Sequence, residues 1–208
     1  MTQTAAPWVP ERADIETLKH AAEDCRGCEL WKPATQVVFS AGNPQAPLAL
    51  VGEQPGEVED RKGIPFVGPA GRLLQDALTE AEVPRDDVYV TNAVKHFRFT
   101  ERGKRRIHAT PQVSHIKACR PWLEAELTVV DPALIVCLGA VAARSLLGTQ
   151  FRVTQQRGQV LDLETPIGVR RVLATVHPSS VLRATGEDRN AAFAGLVADL
   201  RTARAAVA

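Results

Sequence analysis

The side chains able to do chemistry stand where apolar runs end. Leu48-Ala49-Leu50-Val51 breaks into Gly52-Glu53-Gln54-Pro55-Gly56, a tight turn carrying one acid and one amide. Val88-Tyr89-Val90 delivers Thr91 and Asn92, and the run from Arg171 to Val176 delivers His177-Pro178-Ser179-Ser180. In an open α/β sheet, ligands bind in the crevice beyond the carboxyl ends of the strands, so these turns are expected to share one site. Asn92 offers one acceptor and two donors, the set needed to read an amide–imide edge. Standing alone it would more simply close a turn.

A second group is charged. Lys95, Arg98, Arg102, Lys104, Arg105 and Arg106 face a single acid, Glu101, and the run ends at Ile107-His108. On a chain whose net charge is only +1, such a patch points to an anionic partner, with a merely solvated basic loop as the plainer alternative. A third group is sulfur. Cys25-Arg26-Gly27-Cys28, Cys119 and Cys137 make four thiols, which suit a tetrahedral zinc, a [4Fe–4S] cluster or a redox-active pair. Cys137, inside Leu134-Ile135-Val136-Cys137-Leu138, equally fits a small buried hydrophobe. Between these groups, residues 63–71 are too rich in Gly and Pro for a regular element. They form a shaped loop around Phe66, which is either core or a platform for a planar ring.

The elements that must position these groups follow from periodicity. Asp14 caps a helix through about Ala22. Leu73, Leu74, Ala77, Leu78 and Ala81 mark a helix over 72–82, and further helices are expected over 111–130, 139–147 and 188–206. Strands are expected at 48–51, 88–90, 134–138, 159–163 and 171–176, with the last two joined by a turn around Pro166 and Gly168. Strands alternating with helices define an α/β class, a mainly parallel sheet covered on both faces.

At 208 residues and 45% apolar composition, one domain over 13–208 is expected after a flexible lead-in over 1–12. The sequence shows neither a signal-peptide pattern nor a long uncharged apolar segment. A cytoplasmic protein without a membrane partner is the expectation, in a compartment that keeps thiols reduced and disfavours disulfides.

These motifs together resemble the iron–sulfur uracil-DNA glycosylases of bacteria and archaea, called family 4. The resemblance rests on Gly52-Glu53-Gln54-Pro55-Gly56, Pro65-Phe66-Val67-Gly68-Pro69-Ala70-Gly71, Thr91-Asn92-Ala93-Val94-Lys95, His177-Pro178-Ser179 and the four cysteines in order. It implies a three-layer α/β/α fold with a four-stranded parallel sheet, in which the strand at 159–163 has no central place. It implies a uracil pocket built from the backbone at Gly52 to Gln54 and the side chains of Phe66, Asn92 and His177, with Lys95, Arg106 and Ser179 also touching substrate. Cys25, Cys28, Cys119 and Cys137 are implied to hold a structural [4Fe–4S] cluster. Gln54 stands where the family commonly has Ala or Gly, and residues 100–108 form an inserted basic loop. Both features resemble the X-type branch, whose members excise uracil and stay covalently bound to the DNA through the loop histidine. Glu57 departs from the Asp expected in that branch.

The implied chemistry is base flipping of uracil-containing DNA, stacking on Phe66, and O4/N3 recognition by Asn92. His177 would donate to uracil O2, Glu53 would stabilise the sugar cation, and His108 would attack C1′ while free uracil leaves. A monomer is expected. Two rivals remain at this point: a hydrolytic glycosylase that leaves abasic DNA, and a non-catalytic, metal-stapled nucleic-acid-binding module.

Overall fold

The computed structural model describes residues 4–148, 150–165 and 167–208. In chain order the elements are α1 (Ile15–Ala22), β1 (Ser40–Gly42), β2 (Leu48–Gly52), α2 (Glu57–Lys62), α3 (Pro69–Glu80), β3 (Val88–Asn92), β4 (Phe99–Arg102) and β5 (Arg105–His108). Then follow α4 (Val113–Val130), β6 (Leu134–Leu138), α5 (Ala140–Leu147), α6 (Val153–Gln156), β7 (Val160–Thr165), β8 (Gly168–Thr175), α7 (Pro178–Arg183) and α8 (Gly186–Ala205).

Among the described residues β1-β3-β2-β6-β8-β7 form one six-stranded sheet, and β4-β5 form a separate hairpin. The central four strands are parallel, and β1 and β7 add antiparallel edges. Strands β2, β3 and β6 are buried at every position, as a sheet covered on both faces requires. Side chains alternate between the two sides. Ala49, Val51, Ile135 and Cys137 join Leu18, Trp122, Leu127 and Leu146, so α1, α4 and α5 cover one face. Leu48, Leu50, Val136 and Leu138 join Leu74, Leu78, Val181 and Leu200, so α3, α7 and α8 cover the other.

The expected three-layer architecture is therefore present, with corrections at its margins. The strand expected at 159–163 is real and lies at the sheet edge, antiparallel to β8. Its turn at Pro166 falls outside the described residues. Residues expected to form a flexible lead-in are docked: Ala5 is buried, and its N–H donates to the carbonyl of Ala118 in α4 at 2.7 Å. Asp14 caps α1 as expected, its Oδ1 accepting from the Thr17 N–H at 2.8 Å. No helix among the described residues is long and apolar enough to cross a membrane.

Candidate active site

Because β2, β3, β6 and β8 run parallel, their carboxyl ends meet at one edge. Gly52 is paired with Asn92 there, and His177 follows β8 by two residues. Glycine is required at position 52, since a Cβ would run into the Asn92 amide and the Phe66 ring. Phe66 adopts a left-handed backbone (φ 56°), and Gly71 leaves room for its carbonyl. This conformation, uncommon for a non-glycine residue, sets the Phe66 ring 6.4 Å from that of His177, at an interplanar angle of 30°.

A cavity of about 510 Å³ opens at this edge, lined by Gln54, Phe66, Asn92, His108, His177 and Ser179 among others. An adjoining cavity of about 550 Å³ shares Gln54, His108, His177, Ser179 and Arg183 and adds Glu53. His177 Nδ1 accepts the Ser179 backbone N–H at 3.1 Å, and the Ser179 hydroxyl lies 2.9 Å from the same atom. The neutral ring must then carry its proton on Nε2, leaving a donor on its far side. Burial, with His108 and Arg183 nearby, pushes the His177 pKa down to about 4, so the ring is neutral at pH 7.

His108 ends β5 at the junction of the two cavities. Its Nε2 lies 3.5 Å from Glu53 Oε1, a buried oxygen without a hydrogen-bond partner. Burial raises the Glu53 pKa above the usual carboxylate value, opposed by Arg183. Burial and then Arg183 lower that of His108. The Gln54 amide braces the hairpin: Oε1 accepts from the Arg98 N–H at 2.9 Å, and Nε2 donates to the Arg98 and Ala109 carbonyls, each at 3.1 Å. Those carbonyls match both amide hydrogens, so the 2.9 Å approach of Gln54 Nε2 to His108 Nε2 is at most a shared bond.

Two expected substrate residues are committed elsewhere. Lys95 is buried, and its ammonium bonds Thr91 Oγ1 at 2.6 Å, the Asn92 carbonyl at 3.0 Å and the Glu126 carboxylate. It braces the end of β3 instead of meeting DNA. Arg106 turns inward to Asp60 at 2.7 Å, with Glu57 3.7 Å from its Nε, and packs over Phe97 and Phe99. The longer acid at 57 thus reaches the hairpin anchor. Gln54 lines the cavity, but its amide groups serve the hairpin. Arg183, unremarked in the sequence, lines both cavities and donates to Ser179 Oγ at 3.1 Å. Its place on α7 was the missing signal, because a six-residue helix has no readable period.

The cysteines divide. Cys25, Cys28 and Cys119 line one cavity together with His96, Lys95 and Trp122. Cys137 does not: it sits in the middle of β6, wholly buried and packed with the α1/α4 side of the core. The cavity places His96, not Cys137, beside the other three cysteines, and burial keeps its ring neutral, with a pKa of about 4. The Lys95 backbone N–H donates to Cys119 Sγ and the Trp122 indole to Cys25 Sγ, both at 3.3 Å. Burial pushes the Cys119 thiol up to about 12, so a thiolate there needs a cationic partner. Among the described residues no three His, Cys, Asp or Glu side chains converge on a single-ion site.

A parallel sheet with Glu53, Asn92 and His177 at its carboxyl edge defines a pocket-forming α/β protein whose site could take a planar polar ring. The family model of the uracil DNA glycosylase superfamily matches residues 39–201, and the chain belongs to that superfamily. It is 36% identical over 170 residues to a type-4 uracil-DNA glycosylase of Thermotoga maritima, covering 81% of this chain and 83% of the relative. It is 37% identical over 162 residues to a type-4 uracil-DNA glycosylase of Archaeoglobus fulgidus, covering 76% and 78%. A type-5 uracil-DNA glycosylase of Pyrobaculum aerophilum is 29% identical over 189 residues, covering 83% and 78%.

Proposed function

We propose that this protein is a uracil-DNA glycosylase that excises uracil and then captures the deoxyribose on His108. The observation that carries the capture step is the placement of the His108 imidazole at the cavity junction, with the unpartnered Glu53 carboxylate oxygen 3.5 Å from its Nε2.

A stacked base is out of reach of any side chain, so the nucleotide must be flipped into the pocket. Phe66 then stacks on the ring and Asn92 bonds the O4/N3 edge, which differs from cytosine where the exocyclic amine replaces O4. As C1′–N1 breaks, its electron pair leaves with uracil. The His177 Nε2–H donates to the developing charge on O2, and one such donor is typically worth about 2.7–4 kcal/mol. Glu53 stabilises the positive charge on the sugar. Its carboxylate oxygen, 3.5 Å from His108 Nε2, is placed for that role.

The His108 lone pair next forms an N–C1′ bond, uracil takes a proton from water, and the imidazolium later loses its remaining N–H proton. Gln54 and Arg106 hold the ring in place through the hairpin, which lowers the entropic cost of attack. An N-alkylated imidazole is a poor leaving group, so the adduct persists. Cys25, Cys28, Cys119 and His96 would hold a [4Fe–4S] cluster, which supplies a structural cross-link between distant segments.

Peptide mapping tests the attachment. After reaction and nuclease and tryptic digestion, residues 107–117 should carry the deoxyribose mass, with fragment ions placing it on His108 and not His115. His108→Ser should lose it. An adduct on another residue would reject His108 as the nucleophile.

A further inference from the structure

Strands β4 and β5 pair in the register Phe99↔His108, Thr100↔Ile107, Glu101↔Arg106 and Arg102↔Arg105. Directly paired residues share a face, and successive residues alternate. One face therefore carries Phe99, Glu101, Arg106 and His108, and it is turned toward the molecule: Arg106 reaches Asp60 and His108 the cavity. The opposite face carries Thr100, Arg102, Arg105 and Ile107, all exposed.

On that outer face two arginines stand directly across from each other. Like charges in this position destabilise a hairpin, and the acid in the window, Glu101, is registered on the other face. Lys104 at the turn, beside Gly103 with its left-handed φ of 60°, adds a third exposed cation. Among the described residues no carboxylate pairs with Arg102, Lys104 or Arg105. Arg106, by contrast, is spent on Asp60. The hairpin thus divides its charge between an internal anchor and an external surface.

We propose that the outer face of this hairpin, through Arg102, Lys104 and Arg105, binds phosphates of the DNA strand that carries the target nucleotide. Charge complementarity selects that partner, and the surface is continuous with the site because Ile107 adjoins His108. Three residues of strand separate Arg105 from His108, about 10 Å, a reach of a few phosphates along a nucleic-acid strand. The paired arginines offer a forked donor set matched to phosphate oxygens. This proposal rests on DNA being the substrate and is independent of the His108 adduct.

The test is the salt dependence of binding to a uracil-free single-stranded oligonucleotide, on which no excision or capture occurs. Each phosphate contact contributes about 0.7 to the slope of log affinity against log salt, so Arg102→Gln with Arg105→Gln should lower the slope by about 1.4. A control, Arg12→Gln with Arg201→Gln, removes the same charge from distant exposed sites and should leave the slope nearly unchanged. Arg105→Glu guards against a folding artefact: it creates an opposite-charge cross-strand pair, so the hairpin should hold while binding weakens. Because the probe carries no uracil, neither excision nor capture enters the readout, and failure of this surface is distinguished from failure of the chemistry. An unchanged slope in the hairpin double variant, or an equal fall in the control, would overturn the proposal.

Discussion

His108 and His177 are both imidazoles at one cavity, and their surroundings give them different tasks. His177 has its Nδ1 occupied by the Ser179 N–H and is left with a single donor. His108 retains a lone pair near a carboxylate. The lowered pKa of His108 and raised pKa of Glu53 give the pH dependence its sign. Capture requires neutral His108 and ionised Glu53, so its rate should fall as the pH is lowered through either group, with the His108 limb lying below the ordinary imidazole value of 6.5. A single-turnover profile that rises toward acid would contradict this. His177→Ala should slow excision by about 10²–10³-fold, the usual loss of one charge-stabilising donor, as read by the rate of uracil release.

At this scale the sequence was legible where function sits at the end of an apolar run. Glu53, Asn92 and His177 could be placed on one edge because strand direction follows from α/β alternation. Lys95 and Arg106 were misjudged for a common reason: each is paired with an acid far away in sequence. Glu126 and Asp60 leave no mark beside them. A basic side chain near a ligand turn looks the same whether it faces a phosphate or a buried acid.

The β4–β5 hairpin is the element that most distinguishes this site. Its position depends on two tethers, Gln54 at the stem and Arg106 against Asp60, the latter fully buried. Removing one partner of a buried charge pair leaves the other uncompensated, which costs about 3 kcal/mol. Arg106→Gln should therefore loosen the hairpin, slowing capture at least tenfold while uracil release persists. Adduct and uracil assays on the same samples check the split; equal losses in both would show that Arg106 acts on the whole pocket. The hairpin itself was legible only as a basic loop, because two four-residue strands with one exposed face carry too little apolar alternation to announce a sheet.

Across the whole molecule, the cavity of Cys25, Cys28, His96 and Cys119 ties the N-terminal segment to the end of β3 and to α4. Cys119 and Lys95 share a hydrogen bond, and Lys95 in turn holds the Asn92 carbonyl. The metal site and the base-reading edge are consequently parts of one brace. Protein purified without oxygen damage should absorb broadly near ~400 nm as an iron–sulfur protein. Cys137→Ser should keep that absorbance, whereas His96→Ala should weaken it and lower the melting temperature. Loss of colour in Cys137→Ser with retention in His96→Ala would restore the four-cysteine set. Counting thiols in the sequence could not make this distinction, because the side chain that joins three of the cysteines at the cavity is a histidine and Cys137 is core.

Nucleophilic capture is tested most directly by mixing the intact protein with an end-labelled uracil-containing oligonucleotide, heating in denaturant and separating by denaturing electrophoresis. Attack by His108 on C1′ predicts a labelled band at the summed mass of protein and oligonucleotide, lost in His108→Ser. Uracil release from the intact protein with all label remaining as free, alkali-labile DNA would contradict it and establish water as the nucleophile.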